Sequence, residues 1–222
     1  MKDRCRGLIA GLYLVSDSTL FGGRDYIDLV TSFVAGGAKV VELDVLSDNY
    51  IWSEEVFAMA MDIMRLKKKY DFTFIVGDYV DVAAEAKADG IMIRRNKISV
   101  GEIRKRVGDR LLVGCCAHSE EEAISKIKGG ADYLLFGPVF PSRDFEADLS
   151  PQGVGVLERV VGMSDIPIVA AGGINRENID SVLATGVRSV SIISAIRDVD
   201  NMVKEISFYL EKIASFANKG LE

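Results

Sequence analysis

A (β/α)8 barrel is the fold class this sequence predicts, and three observations predict it. Short apolar runs rich in β-branched residues recur along the chain, as strands buried on both faces require. Each run is followed by a helix-patterned segment, and the joints between them are short and marked by glycine. Eight such units span the 222 residues, the size of one such barrel, so 1–222 reads as a single domain without linker or low-complexity stretch.

In order, Leu8 to Val15 is the first strand, and Tyr26 to Ala35 the first helix, closed by Gly36-Gly37. Ala38 to Leu43 is the second strand. Ser53 caps a helix reaching about Tyr70, with Glu54 and Glu55 in its first turn and Lys67 to Lys69 in its last, matching the helix dipole. Phe72 to Val76 is the third strand, Val80 to Lys87 a helix, Gly90 to Ile93 the fourth strand, and a short helix opens at Val100. Leu111 to Cys115 is the fifth strand. Ser119 to Glu122 has the form of a capping box, opening a helix that ends at Gly129-Gly130. Asp132 to Phe136 is the sixth strand, with a long loop before a helix near Gly153. Ile166 to Ala170 is the seventh strand. Gly172-Gly173 ends it, Asn175 stands where an N-cap belongs, and Arg176 to Thr185 is helical. Ser189 to Ile193 is the eighth strand, a short helix opens near Ser194, and Asn201 to Ala217 closes the barrel.

Composition narrows the function. A net charge of −6 argues against nucleic acid as a partner. No apolar run approaches the roughly 18 residues of a membrane span, and the charged start shows no signal peptide, so no membrane partner is expected. Three cysteines, two adjacent, form no disulfide framework and suit a reducing cytoplasm.

In such a barrel the chemistry sits at the C-terminal ends of the strands. Those ends carry Ser16 and Asp17; Glu42 and Asp44; Gly77 and Asp78; Arg94, Arg95 and Lys97; Cys116 and His118; Gly137 to Arg143; Gly172 and Gly173; and Ile193 and Ser194. Glycines after strand seven and N–H groups at the helix after strand eight suit a phosphate cup; a tight turn alone is the plainer reading of Gly172-Gly173. His118, the only histidine, suits a proton shuttle near neutrality, or simply packs the next helix. Cys116 lacks an evident base beside it for a nucleophile's role. Asp17 and Glu42 form an acid/base pair or cap a loop, and Trp52 lines either the mouth or an interface.

At this point the chain resembles the family of thiamine phosphate synthase and its relative, the thiazole tautomerase. The resemblance runs through L-Y-L-V-S-D at Leu12 to Asp17, D-Y-V-D-V-A at Asp78 to Ala83 and A-D-G-I at Ala88 to Ile91. It continues in A-H-S-E-E-E-A at Ala117 to Ala123, A-D-Y-L-L-F-G-P-V-F-P-S at Ala131 to Ser142 and S-P-Q-G-V at Ser150 to Val154. A-G-G-I-N-R-E-N-I and I-I-S-A-I complete it.

The resemblance implies a small thiazole phosphate as ligand, held by Gly173, Ile193 and Ser194 with Gly172, and touched by Ser142 in the loop after strand six. It implies a homodimer, and Mg²⁺ if the chain is synthase-like. The diphosphate half departs from the family's pattern. Glu42-Leu43-Asp44-Val45-Leu46 stands where the family reads Gln-Leu-Arg-Glu-Lys, so two cations that neutralise a leaving pyrophosphate are missing. Asp78 is one metal carboxylate of two; the other falls on Lys97, which an ion cannot use as a ligand. The loop lysine falls near Phe145, with Arg143 as a partial substitute. The tautomerase's histidine matches His118. Glu42, Asp78 and His118 are thus the catalytic candidates, with Asp44, Arg94, Lys97, Cys116 and Arg143 around them.

Three functions follow: a thiazole-phosphate enzyme nearer the tautomerase in its remaining residues, a synthase with an altered diphosphate and metal site, or a non-catalytic barrel that keeps the cup.

Overall fold

In a computed structural model, eight parallel strands pair in sequence order and the last returns to the first, closing the barrel. The structure describes residues 2–17, 21–45, 53–94, 98–145, 149–197 and 199–219. Leu46, Trp52, Arg95 and Lys97, named above, lie outside them. The strands are β1 (Gly11–Val15), β2 (Val40–Leu43), β3 (Thr73–Gly77), β4 (Gly90–Ile93), β5 (Leu112–Ala117), β6 (Tyr133–Phe136), β7 (Ile168–Ala171) and β8 (Ser189–Ser191). The helices are α1 (Lys2–Leu8), α2 (Tyr26–Ala35), α3 (Ser53–Leu66), α4 (Val80–Glu85), α5 (Val100–Val107), α6 (Glu120–Lys128), α7 (Gly153–Met163), α8 (Ile179–Leu183), α9 (Ser194–Arg197) and α10 (Met202–Lys219).

Strand alternation divides the core in two. Leu12, Leu14, Val41, Phe74, Val76, Ile91, Val113 and Leu134 pack outward under the helices. Tyr13, Val15, Val40, Ile75, Met92, Leu112, Tyr133, Leu135 and Val169 fill the barrel's interior. Gly114 makes room there: a Cβ on it would stand 2.1 Å from the Tyr133 ring.

Three differences from the sequence reading have a local reason; besides these, α3 stops at Leu66 rather than near Tyr70, and β8 at Ser191 rather than Ile193. Leu8 ends a helix rather than opening a strand. Cys5, Leu8 and Ile9 recur at helical spacing, and they pack with the interior set beneath the barrel. The helix expected from Arg176 starts only at Ile179. Asn175 Oδ1 accepts the Glu177 N–H at 2.9 Å and Asn178 Oδ1 accepts the Asn175 N–H at 2.8 Å, holding 175–178 as a turn. β5 runs two residues further than expected, so Cys116 lies within it.

The capping box at Ser119 is half formed. Ser119 Oγ accepts the Glu122 N–H, but Glu122 turns its carboxylate to the His118 N–H at 2.9 Å. The reciprocal box forms instead at Ser99 and Glu102, ahead of α5.

At the barrel's N-terminal end two aspartates make the same clamp. Asp89, before β4, accepts the β3 Phe74 N–H at 2.7 Å and pairs with Lys67 just past α3. Asp132, before β6, accepts the β5 Val113 N–H at 2.8 Å and pairs with Arg104 of α5.

Candidate active site at the strand C-termini

The C-terminal ends of the strands surround a cavity of about 370 Å³. Gly172, Gly173, Ile193 and Ser194 line one end of it, with Asp44, Arg94, Cys116 and His118 also in its wall. Asp144 and Phe145, from the loop after β6, line it too. The expected cup and the expected proton shuttle therefore share one cavity.

The glycine pair answers two needs at once. Gly172 and Gly173 have φ of +92° and +66°, the left-handed region that favours glycine. A Cβ on Gly172 would stand 2.6 Å from Pro138 Cα, and one on Gly173 2.5 Å from the Pro141 carbonyl oxygen. The close approach these glycines allow is first that of the β6 loop. Val139 and Phe140 donate their N–H groups to the carbonyls of Ala171 and Gly172, at 2.8 and 3.1 Å. Beside them α9 opens at Ser194, and first-turn N–H groups of a helix have no carbonyl four residues back.

On the other side, Arg94 does not reach out to solvent. Its side chain, 18% exposed, turns inward from the end of β4. Nε and Nη2 donate to the two oxygens of Glu42 at 3.0 and 2.5 Å, and Asp44 lies 3.3 Å from Nε. Nη1 reaches Cys116 Sγ at 3.5 Å. One side chain from β4 thus bridges β2 and β5. Gly77 permits this, since a Cβ there would stand 2.9 Å from Asp44 Oδ1.

Glu42 is fully buried, accepts the Tyr13 hydroxyl at 2.8 Å, and does not line the cavity. Burial opposes the charge on Arg94, but Glu42, Cys116 and Asp44 hold its pKa well above the usual arginine value. Burial, then the Glu42 carboxylate, raises the Tyr13 and Tyr133 hydroxyls well above the ordinary tyrosine pKa, so both stay protonated. Burial also pushes the Cys116 thiol up to about 12, outweighing the lowering by Arg94. A thiol that holds its proton so tightly is a poor nucleophile near neutrality.

His118 sits one residue past β5, half-buried. Its Nδ1 lies 2.6 Å from the Gly137 carbonyl oxygen. A carbonyl only accepts, so Nδ1 carries the proton and a neutral ring keeps its lone pair on Nε2. The ring meets Phe145 edge to face, with centroids 6.1 Å apart.

The remaining candidates fall outside the cavity wall. Asp78, at φ +56°, accepts the Arg94 backbone N–H on Oδ1 at 2.9 Å. Ser142 Oγ accepts the Asp144 N–H at 3.2 Å, and Arg143 is exposed. Tyr13, Tyr133, Asp144 and Phe145 had no assigned role in the sequence reading. For the tyrosines the signal was available: in a buried strand every second residue faces inward, and a hydroxyl there needs a partner.

The Mg²⁺ implied by a synthase finds little here. Asp78 is engaged with Arg94, and among the described residues no group of three or more His, Cys, Asp and Glu is disposed to hold a metal ion. An ion bound through one or two carboxylates plus substrate phosphates needs no such group, and Asp78 is the described carboxylate that would hold it.

Fold and cavity together define a (β/α)8 barrel whose cavity lies at the C-terminal ends of the strands, lined from β1, β2 and β4 as well as by the segments after β5 to β8. The thiamine monophosphate synthase family profile matches residues 12–196. A thiamine-phosphate synthase of Clostridium novyi is 34% identical over 86% of this chain and 92% of its own length. One from Clostridium tetani is 30% identical over 96% and 99%. The solved thiamine phosphate pyrophosphorylase of Pyrococcus furiosus superposes with a TM-score of 0.82 at 29% identity, covering 93% of this chain and 96% of its own. The glycerol-1-phosphate-bound geranylgeranylglyceryl phosphate synthase of Thermoplasma acidophilum, 16% identical with a TM-score of 0.64, shares the fold. The chain belongs to the thiamine monophosphate synthase family.

Proposed function

We propose that the chain is an enzyme of thiamine phosphate assembly whose substrate is a thiazole phosphate. Backbone N–H groups at Gly173, Ile193 and Ser194 take the phosphate, and the ring extends toward His118. The observation that carries this reading is one cavity of about 370 Å³ with the glycine turn, the opening of α9 and His118 in the same wall. Nucleic acid is no partner in this reading, the setting is cytoplasmic, and two copies form a dimer. No helix among the described residues is long and apolar enough to cross a membrane.

The synthase reaction comes first, in which the thiazole nitrogen displaces pyrophosphate from a pyrimidine-methyl diphosphate. The shared name of relatives 30–34% identical over most of their length supports it, and outweighs the leaning toward the tautomerase. In it the cup orients the thiazole, and the apolar wall of Val15, Leu135 and Phe145 excludes water from the reacting carbon. Mg²⁺, when bound, supplies charge for the leaving diphosphate.

Proton transfer on the thiazole phosphate alone is the second reading. A specific observation favours it: the Gly137 carbonyl takes the His118 Nδ1–H and leaves Nε2 as the proton-transfer atom, while Arg94 is already matched by Glu42 and Asp44. One assay parts the two. Purified protein is given thiazole phosphate and the pyrimidine diphosphate, with Mg²⁺ or with a chelator. Metal-dependent thiamine phosphate is the expected product. Aromatisation of a thiazole phosphate carboxylate under chelator, with no joined product, would install the second reading. Calorimetry that finds no binding of thiazole phosphate would sink both.

A further inference from the structure

The loop after β6 touches both ends of the cavity. Its turn at 142–145 is closed by the Asp144 N–H on Ser142 Oγ. The Phe145 ring lies over two glycines: its carbons stand 3.4 and 3.0 Å from where a Cβ on Gly137 and on Gly172 would be. From that slot it meets His118 edge to face, the planes 86° apart. The neighbouring Asp144 carboxylate, 5% exposed, accepts from Arg197 Nη1 at 3.2 Å. Arg197 is three residues on from Ser194, so both lie on one face of α9, the helix that opens at the cup.

We propose that Asp144 is a positioning residue: its ion pair with Arg197 ties α9 to the contact between Phe145 and His118, so that a phosphate seated at α9 sets the orientation of the imidazole. This rests on the reading of the β7–β8 end as the phosphate site. The physical grounds are continuity and burial. Asp144 and Phe145 are adjacent, so one peptide carries any shift of the carboxylate to the ring. An ion pair this shielded from water holds its geometry more firmly than a surface pair. His118 is fixed from the other side by the Gly137 carbonyl, the residue on which Phe145 rests, which leaves the imidazole sensitive to small movements of that ring.

The chain has a single histidine, so its imidazole resonance is unambiguous and reports the ring current of Phe145. The Hε1 shift would be followed in the parent protein and in Asp144→Asn, Arg197→Gln, Arg197→Lys and Phe145→Leu, with and without inorganic phosphate. Turnover of thiazole phosphate and the melting temperature would be measured alongside. Asp144→Asn and Arg197→Gln are expected to move the resonance toward its position in Phe145→Leu, and Arg197→Lys to restore it. Phosphate should shift the signal in the parent and not in Asp144→Asn. Where His118 is the proton-transfer group, kcat should fall on the order of tenfold or more with KM little changed, as misplacement of a reacting group does. A parent-like resonance in folded Asp144→Asn and Arg197→Gln would overturn the proposal, as would the same phosphate-induced shift in the parent and all variants. Should the parent ignore phosphate while Asp144→Asn still displaces the histidine, the cup reading fails and the positioning role stands. Should Asp144→Asn not fold, the Arg197→Lys and Arg197→Gln pair carries the same comparison.

Discussion

Arg94 illustrates how a residue can be placed by sequence and misjudged in its surroundings. Its position at the end of β4 was legible, and a rim arginine is ordinarily solvated or open to an anion. Nothing in one sequence shows that Glu42 and Asp44 on β2 will claim it, because that pairing joins residues far apart in the chain. Removing one partner of a shielded pair leaves the other charge buried without compensation, which costs about 3–5 kcal/mol. Arg94→Met should therefore lower the melting temperature by roughly 10 °C in a chain of this size. Adding Glu42→Gln to it should recover part of the loss, since the orphaned charge is then gone. A melting curve of Arg94→Met matching the parent would show that Glu42 does not depend on this partner. Glu42 itself, read as a possible acid or base, lies fully buried between Arg94 and Tyr13.

Elements were read most reliably where local chemistry and packing agree. α2 keeps the expected Tyr26–Ala35 and β4 the expected Gly90–Ile93. In α8 local hydrogen bonds of two asparagines delay the helix, and in α1 a helical spacing of three apolar residues hides within a charged opening. The β6 loop was the least legible element of the site. Phe145 stood out only for being where a lysine was expected, and the slot it fills exists because Gly137 and Gly172, distant in sequence, both lack a side chain. The glycine turn can be tested on that packing. Gly173→Ala forces a left-handed residue, a strain of about 1–3 kcal/mol, and pushes its methyl against Pro141. The loop must shift, and affinity for thiazole phosphate should fall roughly tenfold or more, the equivalent of about 1.4 kcal/mol. Unaltered affinity by calorimetry would separate the loop from the cup.

For the whole molecule, the barrel was legible because eight repeated units leave few other ways to bury so many two-faced strands. The same burial sets its behaviour in alkali. Cys5, Cys115 and Cys116 ionise near 9 when exposed, but burial raises them to about 12, 11 and 12. A raised pKa means the folded chain holds protons that the unfolded chain has already lost, so this contribution is intact below about pH 9 and is lost as pH climbs toward 12. Urea midpoints should fall between about pH 9 and pH 11, more steeply in the parent than in Cys115→Ala/Cys116→Ala. Equal slopes would mean that Cys115 and Cys116 play no part.

The paired clamps at the closed end have a different kind of consequence. Asp89 with Lys67 and Asp132 with Arg104 each fasten one strand to its neighbour, without any atom in the cavity. Such redundancy confines damage: a fault in one fastening leaves its twin in place. The open end is thereby released from the task of keeping the ring shut. Asp44 where the resemblance implied a cation, and Phe145 near where it implied a lysine, fit such latitude: a scaffold robust at its base and free to vary at its rim.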